Sequence, residues 1–225
     1  MPKLHVLEVF VGEEGAGGNP LGVFLDGASV PEDSRQAVAR RLGFSETVFV
    51  DDRETGLLRI FTPATELPFA GHPLVGVAWL LLHEGHDVPT LRPPAGEVAV
   101  RVEGSSVFVT GRPEWSPPFE LVELPSPADV DALTGPPEDK KLVGAWAWED
   151  EAEGNVRVRV FVSELGVAED EATGSFAAKL CASLGRPISI RQGRGSRIVA
   201  RPLEDGSVEF GGRVEAVEER EEDAG

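Results

Sequence analysis

Residues 61 to 85, which read FTPATELPFAGHPLVGVAWLLLHEG, carry the strongest indication of the fold of this chain. The stretch predicts the end of a strand, then a loop, and then a helix entered through Gly71, His72 and Pro73, with Pro73 as the first helical residue and His72 as its cap. Between Leu74 and Leu82 it holds only apolar residues and one glycine, without a charge. Because a helix that is apolar on every side must be surrounded by other structure, we predict a buried core helix. The apolar run is too short to cross a bilayer.

A second stretch repeats this design about a hundred residues later. Residues 161 to 185, FVSELGVAEDEATGSFAAKLCASLG, again predict a strand end, an acidic loop and an apolar helix closed by a glycine. Gly174 and Ser175 stand at the start of the second helix, where the first stretch has Gly71 and His72. The shared order of elements indicates an internal duplication, with one buried helix in each half.

The remaining sequence predicts a fold of the α+β class. Alternating and β-branched runs indicate about ten short strands. Two helices cannot cover a large doubly wound sheet, so the strands must wrap the helices as two similar rolls. Five prolines between Arg112 and Pro127 mark a linker, and the predicted domains are residues 1–112 and 113–225. The acidic residues from about 215 onward are predicted to form a disordered tail.

Composition excludes several kinds of function. The formal net charge of −18 at pH 7 argues against binding along a nucleic-acid backbone. The one cysteine, Cys181, falls in the second apolar helix and is interpreted as a core residue, so neither a disulfide framework nor a cysteine-based zinc site is expected within the chain. The N-terminal residues alternate as a strand does and lack the apolar run of a signal peptide. A soluble, cytoplasmic protein without a membrane segment is therefore expected.

The two helix starts are candidate anion sites, because free N–H groups and the helix dipole point the same way at a helix N-terminus. If the halves pack about a pseudo-twofold axis, the helix starts face each other across one cleft that suits a small carboxylate. The competing interpretation is that both are ordinary helix caps. Glu46 precedes the apolar run to Val50, where burial would raise its carboxyl pKa toward neutrality. Taken alone, Glu46 is better explained as an ordinary solvated glutamate at a strand start.

Three segments resemble, in this order and spacing, the PhzF-like phenazine-biosynthesis family. They are SETVFV at 45–50, RIFTPATELPFAGHPLVG at 59–76 and EDEATGSFAAKL at 169–180. The resemblance implies two domains of the diaminopimelate-epimerase-like fold, each a mostly antiparallel sheet rolled around one central helix, in a homodimer. It also implies an isomerase that shifts a proton on a small carboxylate-bearing metabolite, without a metal or an organic cofactor.

The resemblance also assigns the site residues. It makes Glu46 of the SET motif the acid/base residue. The other positions that it implies are His72 and Asp170, which complete the catalytic set, and Gly71, Gly174 and Ser175, which bind substrate.

Departures from the family pattern concern the substrate pocket. Leu74 stands where a threonine commonly follows GHP, Glu171 stands where a proline usually follows Glu-Asp, and the second half is shorter than usual. The substrate of the family is therefore not carried over. The alternative hypothesis is a catalytically inactive small-molecule-binding or interaction protein of the same fold. Convergence of Glu46, His72 and Asp170 on one cavity would count against that alternative.

Overall fold

The computed structural model describes residues 1–223, which form four α-helices and fifteen β-strands. The helices α1 to α4 span Glu32–Leu42, Gly71–His83, Pro127–Asp131 and Gly174–Leu184. The strands β1 to β15 span Lys3–Val11, Asn19–Phe24, Glu46–Asp52, Leu57–Phe61, Glu66–Leu67, Thr90–Leu91, Val98–Glu103, Ser106–Gly111, Glu120–Glu123, Val143–Asp150, Asn155–Val162, Val167–Asp170, Ile188–Gln192, Ser196–Pro202 and Val208–Glu221. The predicted α+β class is confirmed.

All the larger strands belong to one continuous sheet with β15 at its centre. β15 pairs antiparallel with β1, from Lys3 opposite Glu221 to Val11 opposite Arg213, and antiparallel with β14 and β8. The order continues as β1-β2-β3-β4-β5 on one side and as β14-β13-β11-β10-β9 on the other. Three strand pairs are parallel, namely β2 with β3, β9 with β10 and β11 with β13. Each of these pairs is joined through a helix (α1, α3 and α4), as a parallel connection requires.

The helix α2 is the buried helix of the first half. Its residues are buried from Gly71 to Ala78, and it packs against β1, β2, β3, β8 and β15. Gly76 permits this close packing, because a Cβ at that position would lie 2.4 Å from Leu21 Cδ2. Strands therefore surround α2, which explains why no face of it is polar. Within residues 1–223, no helix combines the length and the apolar character that a membrane crossing requires.

The helix α4 is the buried helix of the second half and packs against β14 and β15. Phe176 lies against Gly144 of β10, where a Cβ would come within 1.9 Å of the ring. Cys181 is fully buried, and burial raises the pKa of its thiol to about 12. This agrees with the interpretation of Cys181 as a core residue.

The prediction of a disordered tail from about residue 215 is wrong for residues 215–221. They belong to β15 and pair with β1 as far as Glu221. Lys3 pairs with Glu219, and Arg220 pairs with two neighbouring glutamates, so opposite charges offset the acidic composition. Residues 224 and 225 lie outside the described residues. The domain division at residues 112 and 113 stays a prediction, because the sheet is continuous across it.

Candidate active site

The two buried helices meet at their N-terminal ends. A Cβ on Gly71 would lie 2.7 Å from the Cα of Gly174 and from the backbone nitrogen of Ser175, so only glycine fits at this contact. Neither N-cap residue, Ala70 or Thr173, caps its helix with a side-chain hydrogen bond. The first backbone N–H groups of both helices are therefore free of side-chain caps in the same small region.

The start of α2 differs from the predicted one. Gly71 is the first helical residue, after the extended Ala70, so His72 is not the cap and Pro73 occupies the third helical position. Proline is tolerated there because the first four N–H groups of a helix have no intrahelical partner. As a result His72 lies inside the first turn, where it is 3% exposed.

A mostly apolar cavity lies beside the helix starts. Glu46 and Asp170 contribute its two carboxyl groups. The lining residues are Ser45, Glu46, Thr62, Leu67, Phe69, Ala70, Pro117, Phe119, Val162, Leu165, Val167, Asp170, Thr173 and Ser175. Among the residues that the structure describes, no lysine or arginine lines this cavity. An anion bound here would have to be held by backbone N–H groups and hydroxyl groups.

Glu46 and His72 face each other at the start of β3 and in the first turn of α2. The Oε2 atom of Glu46 lies 3.5 Å from the Nε2 atom of His72, and the two side chains are 14% and 3% exposed. Within the described chain, neither atom has a hydrogen-bond partner. Buried polar atoms without hydrogen bonds are uncommon, and a catalytic role is one recognised reason for them.

Burial dominates the acid–base properties of the site. Burial, and after it the negative charge of Asp170, raise the pKa of Glu46 to about 8. Burial also raises the pKa of Asp170 to about 6, although hydrogen bonds from Thr173 and Asn19 favour its ionised form. Burial lowers the pKa of His72 to about 3. At neutral pH the site therefore contains a mostly protonated Glu46, an ionised Asp170 and a neutral imidazole.

Asn19 is a residue of the site that the sequence analysis missed. It lies at the start of β2 and is 3% exposed. Its Nδ2 atom donates to Asp170 Oδ1 at 2.8 Å and to the Ala172 carbonyl oxygen at 2.9 Å, and lies 3.4 Å from His72 Nδ1. Its Oδ1 atom accepts a hydrogen bond from Ser45 Oγ at 3.2 Å. The available signal was the Asn-Pro pair, which is equally typical of a simple turn.

The carboxylate of Asp170 is held from a second side by Thr173, whose Oγ1 donates to Asp170 Oδ2 at 2.7 Å. Gln192 is fully buried and donates from Nε2 to Thr173 Oγ1 at 2.9 Å and to the Asp170 carbonyl oxygen at 2.8 Å. Its Oε1 atom accepts from the Thr173 N–H at 3.1 Å. These bonds fix the chain just before α4, so the Asp170 carboxylate has little freedom to turn.

Two departures from the family pattern, at Leu74 and Glu171, lie outside the cavity lining, contrary to the expectation that they concern the substrate pocket. Leu74 is fully buried in the core around α2. Glu171 accepts hydrogen bonds from the Arg194 N–H at 2.6 Å and from Ser196 Oγ at 3.2 Å, and so ties the end of β12 to the turn between β13 and β14. Neither substitution changes a residue that lines the cavity.

One group of side chains within residues 1–223 could hold a metal ion, namely His5, Glu84 and Glu219, whose ligand atoms lie within 4.8 Å of one another. Glu84 follows the last turn of α2, roughly 18 Å along the helix axis from His72 at 1.5 Å per residue. Lys3 already pairs with Glu219. This group is therefore separate from the cavity.

Comparison with known proteins matches residues 7–146 to a family described as phenazine biosynthesis-like proteins, PhzC-PhzF. The trans-2,3-dihydro-3-hydroxyanthranilate isomerase of Pseudomonas fluorescens is 32% identical over 229 residues, which cover 78% of this chain and 80% of that protein. Glu46 and His72 lie inside the family match, whereas Asp170 lies beyond it.

Solved structures give the same picture of the fold. A PhzF-family phenazine biosynthesis protein from Bacillus anthracis superposes with a TM-score of 0.79 over 97% of this chain and 98% of its own, at 19% identity. At that identity the likeness shows the fold alone. A predicted epimerase from Pseudomonas aeruginosa superposes with a TM-score of 0.71 over 98% of this chain and 99% of its own, at 26% identity.

Proposed function

The chain belongs to the PhzC-PhzF family of phenazine biosynthesis-like proteins and is a PhzF-like isomerase, and we propose that it shifts a proton within a small carboxylate-bearing metabolite without a metal or organic cofactor. Glu46 is the acid/base residue in this proposal, and His72 and Asp170 orient polar groups of the substrate. The observation that carries the proposal is the Glu46 carboxyl group, which lines an apolar cavity with one unpartnered oxygen and has a pKa of about 8.

The proposed reaction needs one carboxyl group that both takes and returns a proton. In its ionised form Glu46 removes a proton from a substrate carbon, and the electron pair of that C–H bond moves into the adjacent double-bond system. The same carboxyl group then delivers the proton to another carbon of the substrate. One C–H bond breaks and one forms, so the product is an isomer and no oxidant or reductant is consumed.

The substrate carboxylate is held at the two helix starts. Each helix N-terminus brings roughly half a positive elementary charge together with unpaired N–H groups. Gly71 and Gly174 allow the two helices to approach each other, and the Ser175 side chain lines the cavity. The negative charge of Asp170 opposes anion binding, and so does that of Glu46 when ionised. Affinity for an anion should therefore fall as pH rises through about 8, the pKa of Glu46.

The decisive experiment is a screen of small carboxylic acids in deuterated water, with mass spectrometry as the readout. Wild-type protein should convert a substrate to an isomer, which carries solvent deuterium wherever the Glu46 carboxyl group exchanges its proton with solvent before returning one. Glu46→Gln should give neither the isomer nor deuterium incorporation. Glu8→Gln is the matched control, because Glu8 is a partly buried glutamate of raised pKa that does not line the cavity. If Glu46→Gln retains turnover with the same deuterium incorporation, the role proposed for Glu46 is wrong.

The alternative is a protein of the same fold that binds a small molecule or a partner without catalysis. Such a protein could tolerate a Glu46 that is turned outward or paired with an arginine. Within the described residues, Glu46 has no arginine partner, and it lines one cavity with Asp170 while contacting His72. This convergence supports the enzyme. Calorimetric binding of a carboxylate with no isomer and no deuterium incorporation would instead support the binder.

Two further expectations stay predictions, namely the homodimer and the cytoplasmic location. Size-exclusion chromatography with light scattering would test the first. Nucleic acid and membranes are not proposed as partners, because the net charge is −18 and the proposed ligand is a small carboxylate.

A further inference from the structure

A buried histidine lies at the end of α2 that is opposite to the candidate active site. His5, near the start of β1, is 7% exposed, and it lies beside Glu84 at the C-terminal end of α2 and Glu219 near the end of β15. One ligand atom from each of the three residues lies within 4.8 Å of the other two. We propose that His5, Glu84 and Glu219 bind a divalent transition-metal ion such as Zn²⁺, which ties β1 and the end of β15 to α2.

The hydrogen bonding of His5 is the first observation behind this site. Within residues 1–223, neither ring nitrogen of His5 makes a hydrogen bond, and its contact with an oppositely charged group is the one between Nδ1 and Glu219 Oε2. Buried polar groups without hydrogen bonds are uncommon in proteins, and a bound ion is one recognised reason for them. A ring nitrogen of His5 therefore remains available as a ligand.

The distance between His5 and Glu219 fits metal coordination. The Nδ1 and Oε2 atoms are 3.5 Å apart. Two ligands of a tetrahedral Zn²⁺ ion are separated by roughly 3.4 Å, because each bond is about 2.0–2.1 Å long. Lys3 pairs with the other oxygen of Glu219, Oε1, and so leaves Oε2 to face the imidazole. A set of one imidazole and two carboxylates suits Zn²⁺ better than Mg²⁺ or Ca²⁺, which prefer oxygen ligands alone.

Glu84 supplies the third ligand from the end of a helix. It is the C-cap residue of α2, where the last backbone carbonyl groups form the negative end of the helix dipole. Among the residues that the structure describes, the Glu84 side chain makes no hydrogen bond and no ion pair. A carboxylate at this end of a helix is unfavourable, whereas a cation is favourable. A metal ion bound to Glu84 would offset both negative charges.

Solvent reaches the three side chains from two directions. Two cavities of about 260 Å³ and 210 Å³ are both lined by His5 and Glu84. The two glutamates are exposed, so rotation of their side chains can shorten the widest ligand separation to the distance that the metal requires. Water would complete a tetrahedral site that has three protein ligands.

Two neighbouring cations oppose metal binding and provide a sign test. The positive charges of Lys3 and Arg53 both act on His5. Lys3 is exposed, and its pair with Glu219 is a surface ion pair of small value. Removal of this charge in Lys3→Gln should therefore tighten the binding of Zn²⁺, whereas removal of a ligand should weaken it.

The test is calorimetric titration of Zn²⁺ into full-length protein that has been treated with a chelator. Wild type should bind one equivalent. His5→Gln and Glu84→Gln should each bind about 100-fold more weakly or worse, since the loss of an outer-shell partner alone costs 10–100-fold. Glu221→Gln is the matched control, because it removes the same charge from β15 outside the group of three ligands. It should change the affinity by less than about fivefold.

Thermal melts provide a second measurement. Zn²⁺ at about 100 times its Kd should raise the Tm of wild type by roughly 5–10 °C, because it binds only the folded protein. The same concentration should raise the Tm of Glu84→Gln much less. Glu84 is exposed, so this variant should fold even if His5→Gln does not.

The inference is overturned if Zn²⁺ binds wild type and Glu84→Gln equally, if several equivalents bind with similar affinity, or if Mg²⁺ binds as tightly as Zn²⁺. Each of these results would show only the attraction of cations to an acidic surface. The inference does not depend on the proposed function, because the titration needs no substrate and Glu84 lies roughly 18 Å along the helix axis from His72. Failure of either one leaves the other standing.

Discussion

Both halves of the molecule have the same arginine–glutamate pair beside a phenylalanine ring before the buried helix, but they differ at the helix starts. Arg59 binds Glu66 through two hydrogen bonds of 2.6 Å and lies over the ring of Phe61. One hundred residues later, Arg159 binds Glu169 through two hydrogen bonds of 2.7 Å and lies over the ring of Phe161. Each pair leads into a buried helix, which supports the internal duplication inferred from the sequence.

The helix starts themselves have opposite hydrogen-bonding states. On the α2 side, Glu46 Oε2 and His72 Nε2 face each other without hydrogen bonds. On the α4 side, Asp170 receives donors on both oxygens, and Gln192 fixes the adjacent backbone. Burial raises both carboxyl pKa values, but the donors around Asp170 limit the rise to about 6, against about 8 for Glu46. The duplicated fold can therefore place Glu46, which is able to exchange a proton, beside Asp170, which is kept charged.

The largest expected effect is on activity. Glu46→Gln should lower kcat/KM by about 10³-fold or more, within the range found for general acid–base residues, or about 4 kcal/mol in the barrier. Asp170→Asn should retain the proton-transferring group and lose less. Parallel kinetics of the two variants on one substrate would check this order. A larger loss for Asp170→Asn would reverse the proposed roles of the two sides.

A substitution at Gly71 tests the contact between the N-terminal ends of α2 and α4. In Gly71→Ala the new Cβ would lie 2.7 Å from the backbone of Gly174, which should reduce the free energy of unfolding by about 2–3 kcal/mol, a cost typical of overpacking. Gly135→Ala is the control, because no heavy atom lies within 4 Å of a Cβ built there. Urea denaturation measures both variants. Equal stabilities would mean that the N-terminal ends of α2 and α4 are not in firm contact.

Stability should respond to pH on both sides, and more strongly on the Glu46 side. The pKa of Glu46 is raised in the folded state, so the folded protein binds the proton more tightly and loses stability as pH rises from about 4.5 to about 8. Above pH 8, Glu46→Gln should therefore be more stable than wild type, by roughly 2 kcal/mol. Asp170→Asn should gain less, because the pKa of Asp170 is raised only to about 6 and an amide cannot accept from both Asn19 and Thr173. Thermal melts at acidic and alkaline pH would show whether the gain is larger for Glu46→Gln.

The charge of Asp170 should also be visible in the pH dependence of catalysis. With Glu46 as the base, kcat/KM should increase with pH and level off above about 8. Because the charge of Asp170 contributes to the raised pKa of Glu46, Asp170→Asn should move the rising part of this pH profile to lower pH. If the rise of kcat/KM occurs at the same pH in Asp170→Asn and in wild type, the two carboxyl groups are not coupled.

The smallest effect is expected when the ion pair that both halves share is removed. Glu66→Gln and Glu169→Gln each remove one partly exposed ion pair, and each should cost less than about 1 kcal/mol of stability. If the duplication left the two pairs equivalent, the two losses should agree. Chemical denaturation at low and high salt would measure them, and a large loss in only one half would mean that the two pairs are not equivalent.

Local pattern in the sequence was enough to predict the core of this protein. Apolar residues on every side of α2 and α4 require burial, whatever surrounds the helices, so the two core helices and the α+β class follow from periodicity. The SET, GHP and EDxATGS motifs pointed to Glu46, His72 and Asp170 through their resemblance to a family. Composition was a poorer guide for residues 215–221, because β1 supplied hydrogen-bonding partners that no local pattern reveals.

The hydrogen bonds of the site, by contrast, follow from the packing of distant segments. Asn19 is separated by 53 residues from His72 and by 151 from Asp170, so no local spacing relates them. Asn19 looks like a turn residue until β2, α2 and β12 are packed together. The unpartnered state of Glu46 Oε2 is likewise a property of the surrounding packing and not of the glutamate itself. Burial can be inferred from the periodicity of one segment, whereas hydrogen-bond partners and pKa values depend on which distant segments exclude water from the same place.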